Sequence, residues 1–433
     1  MPEHRSSTSA PTVVACFAAA VIAAFSAVVA CSTTDDPRAG TRASTSSSGG
    51  TSGTSGGSSS GGIDAAIPDG PIDCGSAPGA AAPFTKQALL SAASECAAWH
   101  ACTFVNAATT LRTSVRDQAA SPSDEKLAAA RASFATAMNE WSKLEVLQFG
   151  PVASKIMDPY HGRGLRTFIH PWPQTNRCEV EKQVAVKEYQ QGIDVVLPAA
   201  RGLYALEYAL HYPGSDTVCL AASPTGQAWT TLAPAALQKA KNDYAVAVVD
   251  NVLALALEIR NVWLPEGENF KAKLLAFDGY GSEQEALNVV AWALFYLEKE
   301  VKDLKLAPRA GVVTTDPLPE SPFAHLDVDN LRTNLRAFRS LFQGCSADGT
   351  GVGFDDWLVA AGQQQLATEM VTALDQAQAA ADAFPSFDQA SQAQFKQLYD
   401  TLKVLTDLLK TRLFGSASPL NLKLPSTAAS DTD

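Results

Sequence analysis

Apolar residues recur at intervals of three and four along most of the chain, and no alternation of apolar and polar positions persists beyond a few residues. That period is helical. It predicts helices near 84–118, 123–148, 180–194, 198–211, 225–262, 282–305, 327–342, 354–383 and 387–413. An all-α protein of two tandem helical bundles of the four-helix type follows. Ser123 before Asp124 and Glu125 has the form of an N-cap with an acidic first turn. Gly150-Pro151 and Pro213-Gly214 stop the helices before them, and Asp355 and Asp356 open one at Trp357. Residues 151–177, rich in Pro, Gly and aromatics, read as an irregular loop, and loops that long usually work or cover something.

One stretch, Arg201 to His211, holds polar groups at fixed spacing inside a strongly apolar pattern. Leu203, Leu206 and Leu210 mark a buried helix face, while Tyr204, Glu207 and His211 fall on an adjoining one. A carboxylate at the edge of a core must be paired, protonated or bound to a cation. Glu207 is thus either a structural carboxylate, capping or salt-bridged inside the bundle to a base such as Arg201, or a cation ligand.

Gly202 to Glu207 resembles the G-x-H-x-x-E signature of the imelysin family, with Tyr204 in the place of the family's histidine. Trp141 to Pro151 (WSKLEVLQFGP), Pro171 to Pro173 (PWP, containing Trp172) and Ser321 to Gly344 resemble three further segments of that family, in the same order. The resemblance covers roughly residues 80 to 420. It implies a bacterial envelope protein of two helical-bundle domains, peptidase-classed and iron-associated, with the signature helix facing a cleft between the domains. It also brings Glu145 forward, at an acidic position of the first of these segments.

Residues 1–30 read as an export signal: His4 and Arg5 precede an apolar run from Val13 to Ala30. Val28-Val29-Ala30-Cys31 resembles a bacterial lipobox, so Cys31 is expected to be acylated and to anchor the protein in a membrane. Two or three acyl chains make such an anchor stable. Ser32 does not resemble an inner-membrane retention signal, which directs the expectation to the outer membrane, with the folded part in the periplasm or at the cell surface. Residues 31–74 follow as a Ser/Gly-rich tether of about 40 residues, a coil that spans roughly 35 Å on average. The first bundle is placed at 75–222, the second at 223–425 and a disordered tail at 426–433, with the division near Pro213 to Pro224.

Apart from Cys16 and Cys31, the cysteines are Cys74, Cys96, Cys102, Cys178, Cys219 and Cys345, with no zinc-type spacing. Three disulfides are expected in an oxidising compartment. Cys178 with Cys219 is favoured, since both lie in polar segments flanking the helices that lead into and out of the central stretch. A net charge of −12 disfavours nucleic acid as a partner.

The chemistry expected from these residues is an oxygen-rich metal site of Glu207, Tyr204 and Glu145, with His211 one turn further on, and Gly202, Arg201, Trp141 and Trp172 shaping its surroundings. Such ligands favour hard cations, ferric iron in particular for a tyrosinate, with other divalent or trivalent metals open. Tyr204 as a core phenol and His211 at a helix C-terminus are the structural alternatives. His161 and His170 sit in the irregular loop beside Arg163, Arg166 and Trp172, lining the cleft or solvated, and His325 begins a helix. H-E-x-x-H, nucleophile-elbow and phosphate-loop patterns are absent, so catalysis has no positive sign in the residues. Three functions remain: binding of a metal ion or small ligand in metal acquisition, a metallopeptidase, and a metal-free interaction module with an envelope protein partner.

Overall fold

The computed structural model describes residues 70–79, 82–346 and 349–425. The export signal, Cys31, most of the tether and the tail at 426–433 lie outside the described residues. Every regular element among the described residues is helical. In chain order the α-helices are α1 (Lys86–Ala120), α2 (Asp124–Leu144), α3 (Leu165–Ile169), α4 (Arg177–Val186), α5 (Gly202–His211), α6 (Pro224–Thr230) and α7 (Pro234–Trp263). They continue as α8 (Phe270–Leu275), α9 (Glu283–Trp292), α10 (Asp327–Phe342), α11 (Phe354–Ala360), α12 (Gln364–Asp382) and α13 (Gln392–Leu408). Two π-helical segments, Leu297–Leu306 and Leu409–Leu413, complete the frame.

Local chemistry sets the ends. The Ser123 hydroxyl accepts from the Lys126 amide, as an N-cap does, and Thr85, Asn176, Ser223, Ser282 and Ser391 cap their helices in the same way. Several long predicted helices are broken at residues with a physical reason. Pro234 at the first helical position separates α7 from α6. Gly362, in the left-handed region at φ +74°, separates α12 from α11. The predicted helix 123–148 ends at Leu144, so Glu145 is a helix-terminal residue. The span 282–305 is α9, then a 3₁₀ turn, then the π-helix. The predicted loop 151–177 contains the single-turn α3, and α8 was not foreseen.

The two longest helices, α1 and α7, pack along each other, with α2 and α5 beside them. Their shared core takes Phe104, Val105, Leu111 and Phe134 from one side and Tyr244, Val248, Val252 and Ile259 from the other, all fully buried. α7 begins beyond the expected domain division, yet packs on helices before it. A second grouping joins α10, α12, α13 and the 297–306 segment, and α10 connects it to α2.

The cysteines pair as Cys74–Cys102, Cys96–Cys345 and Cys178–Cys219. The second spans 249 positions and ties α1 to the segment after α10. Converting Cys96 and Cys345 together to serine should lower stability by about 2–5 kcal/mol, since the loop released is long. A urea midpoint unchanged from the wild type under non-reducing conditions would contradict this.

Candidate functional site

α5 begins where two backbone constraints meet. Arg201 is extended and Gly202 has φ +71°, a conformation that L side chains rarely adopt. A Cβ at Gly202 would come within 2.3 Å of the Ile169 carbonyl oxygen, so only glycine lets α5 start against the end of α3. From Gly202 to Leu210 every residue is buried, the polar ones included.

Glu207 is 2% exposed, and its Oε1 accepts from the Ser321 hydroxyl (2.9 Å) and the amides of Phe323 (2.8 Å) and Ala324 (2.7 Å). The signature carboxylate therefore holds the turn that leads into α10. Burial pushes its pKa up to about 8 in spite of those donors. Arg201 is not its partner: the guanidinium lies over the Phe168 ring, donates to the Ile193 carbonyl at 3.2 Å and faces Asp194 at 3.5 Å. Tyr204 packs its ring on Phe323, and burial pushes the phenol up to about 12, so it stays protonated near neutrality. His211 packs at a tilt against Phe134, and burial, with Arg131 nearby, pulls it down to about 4. Trp141 packs on Phe104, and Trp172 donates its indole N–H to the Leu318 carbonyl at 3.3 Å.

A different set of groups converges beside this turn. Glu145 emerges at the end of α2, His170 at the end of α3, and Glu320 immediately before the segment that Glu207 holds. One ligand-type atom from each lies within 4.8 Å of the other two, and the residues are 0%, 1% and 1% exposed. Glu145 Oε1 accepts from Asn334 Nδ2 at 3.3 Å, but Oε2 stands 3.8 Å from both His170 Nδ1 and Arg166 Nη2, beyond hydrogen-bonding distance. Among the described residues no hydrogen-bond partner exists for Glu145 Oε2, His170 Nδ1, either Glu320 carboxylate oxygen or the Tyr296 hydroxyl. Lys305 Nζ comes to 2.7 Å from Glu320 Oε2 without hydrogen-bond alignment, and donates to Asn334 Oδ1 at 2.8 Å.

The electrostatics keep the first of these carboxylates ionised. Burial alone would raise Glu145, but the His170 ring, Lys305 and Arg166 outweigh it and bring it down to about 2. Glu320 is pushed up by burial, with Lys305 opposing. Buried polar atoms are nearly always hydrogen-bonded; here the unbonded set includes the Arg166 Nε and Nη2 donors as well as the acceptors of Glu145 and Glu320. Two carboxylates and an imidazole suit iron, manganese or zinc.

The Imelysin family model (Peptidase_M75) matches residues 100–412. The chain belongs to the imelysin family. An imelysin-like protein from Psychrobacter arcticum 273-4 has a similar structure at 15% identity and TM-score 0.57, covering 79% of this chain and 98% of that one. So does a protein from Parabacteroides distasonis ATCC 8503 named as an iron-regulated protein A precursor, at 16% identity and TM-score 0.55, covering 78% of this chain and 98% of that one. These likenesses show the fold. No curated protein sequence matches.

Within this imelysin fold the four expected ligands are not brought to one point. Glu145 joins a three-residue cluster, whereas Glu207 and His211 join none among the described residues. The other three side chains have other contacts instead: Glu207 Oε1 accepts from three donors, Tyr204 packs on Phe323, and His211 lies tilted against Phe134. His170, read as lining a cleft or solvated, is fully buried and central. Glu320 gave no periodic or motif signal; its one sign was its place directly before the Ser321 segment.

Two outcomes test this geometry. Gly202→Ala should destabilise the fold by at least about 2 kcal/mol through strain and clash, read as a lower urea midpoint; an unchanged midpoint would contradict the strained start of α5. Because the folded state holds the Glu207 proton up to about 8 and the unfolded chain only to 4.5, its contribution to stability is complete below the lower value and lost as pH rises through the upper one. Glu207→Gln keeps the acceptor oxygen and cannot ionise, so its stability should exceed that of the wild type increasingly between about pH 5 and about pH 8. Parallel curves for the two proteins would remove Glu207 as the titrating group.

Proposed function

We propose that this imelysin-family protein is a lipid-anchored component of the cell envelope that binds a metal ion, iron first among the candidates, in metal acquisition. One observation supports the reading: ligand atoms of Glu145, His170 and Glu320 converge within 4.8 Å in the interior, with Glu145 Oε2, His170 Nδ1 and the Glu320 oxygens lacking an aligned hydrogen bond. A buried polar atom without a hydrogen bond costs about 1–3 kcal/mol, and a cation bound among these ligands would offset that cost. The name of the Parabacteroides neighbour, an iron-regulated protein A precursor, supports iron over other metals. The Cys31 lipobox and the tether support the anchored location. A metallopeptidase is the rival that the family's label suggests, but cleavage of a polypeptide needs an open groove around the metal. Ligands that are all at most 1% exposed favour an ion over a polymer.

The test is elemental analysis and titration calorimetry of the purified, disulfide-bonded protein with Fe(II), Fe(III), Mn(II) and Zn(II). Close to one equivalent of metal should bind, and Glu320→Gln or His170→Ala should weaken it at least about tenfold. Tyr204→Phe and His211→Ala should leave it near the wild-type value. Absence of binding by the folded wild type would overturn the reading and turn attention to a protein partner.

A further inference from the structure

The cluster already holds positive charge. Lys305 is 3% exposed and projects from the π-helical segment Leu297–Leu306 into the same space. Its ammonium is 2.7 Å from Glu320 Oε2 and donates to Asn334 Oδ1, while the Asn334 amide donates in turn to Glu145 Oε1 and to the Ser142 carbonyl. One ammonium is thus linked directly to one carboxylate and through a single amide to the other. Trp172 and Tyr296 present their rings to it at 5.6 Å and 5.7 Å, a cation–π cradle. On the other side of Glu145 the Arg166 guanidinium lies over the Tyr296 ring at 5.6 Å.

We propose that the Lys305 ammonium is the resident cation of the buried site, and that a metal ion binds to Glu145, His170 and Glu320 by displacing it from Glu320. This rests on the metal-binding reading of the same cluster and adds how the site is held and emptied. Two cations cannot share neighbouring oxygens in a dry interior without strong repulsion. The metal must therefore take Glu320 from Lys305 on entry, and Lys305 must return on release. With no metal bound, Lys305 beside Glu320 and Arg166 beside Glu145 offset the two carboxylate charges, so the site does not collapse. It also weakens metal binding relative to the same ligands without an internal competitor, which suits a protein that passes its cargo on.

The experiment compares wild type, Lys305→Met and Lys305→Gln, each as the disulfide-bonded protein, with Mn(II), Fe(II) and Zn(II) as the metals. Lys305→Met removes the charge at similar length, and Lys305→Gln also retains a donor for Asn334, so a folded variant is available if the methionine fails. The metal affinity should rise at least about tenfold in either variant. The metal-free variants should melt below the wild type, because Glu320 has lost its counter-ion, and added metal should raise their melting temperature by more than it raises that of the wild type. Methylammonium chloride should compete with metal for Lys305→Ala, whose truncated side chain leaves room for it, and not for the wild type. If the wild type binds metal and loss of the lysine charge leaves the affinity unchanged or lower, the displacement is refuted while metal binding stands. If wild type and variants all bind no metal, both fail together.

Discussion

Glu207 engages the turn before α10 with a single oxygen that accepts a hydroxyl and two backbone amides. Hydrogen bonds to an uncharged carboxyl contribute roughly 0.5–1.5 kcal/mol each. The turn has little regular structure of its own. Its other anchor is Asp327, whose Oδ1 accepts from the Glu320 and Ser321 amides at 2.9 Å and 3.4 Å. Between them, two carboxylates specify the path of the segment that carries Glu320. The glycine at the start of α5 belongs to the same constraint, since it sets how closely α5, and with it Glu207, approaches the end of α3 and His170.

The carboxylates of this interior fall into two kinds. Glu181, fully buried, is satisfied on both oxygens: Arg177 and the Tyr208 hydroxyl bind one, and the Thr217 hydroxyl and the Val218 amide bind the other. Glu207 is engaged through Oε1. These two build structure, and the Cys178–Cys219 disulfide closes the segment around the first of them. Glu145 and Glu320 are of the other kind, with oxygens that no aligned donor reaches although Arg166, His170 and Lys305 stand close. Charge is supplied there without hydrogen bonds. Among the described residues Glu298 Oε2 is also without a hydrogen bond, beside Lys302 at 3.2 Å from Oε1, so what sets Glu145 and Glu320 apart is their convergence with His170.

The helical class and the order of the main helices were legible because a period of three to four in apolar positions is a local property, repeated over dozens of residues. The cap at Ser123 and the stop at Pro213 were legible for the same reason, each being a matter of one or two residues and their backbone preferences. Where a long apolar pattern crossed a proline or a glycine, as at Pro234 and Gly362, the period continued through a break that backbone geometry imposed. The importance of Glu207 could also be read, since an isolated carboxylate in an apolar helix must be paired, protonated or bound to a cation. Its partner could not, because Ser321, Phe323 and Ala324 lie more than a hundred positions away and two of them contribute only backbone amides, which carry no residue signature.

The cluster itself was decided by tertiary structure. Glu145, His170 and Glu320 come from a helix end, a single-turn helix and a loop, and no periodicity connects them. His170 in a loop of prolines and aromatics read as lining a cleft or as solvated until the fold closed over it. The sequence by itself determined an all-helical imelysin-type chain and a carboxylate at the edge of its core that must be paired, protonated or bound to a cation. Which carboxylates are paired and which are left open depends on distances between elements far apart along the chain, and only their packing sets those.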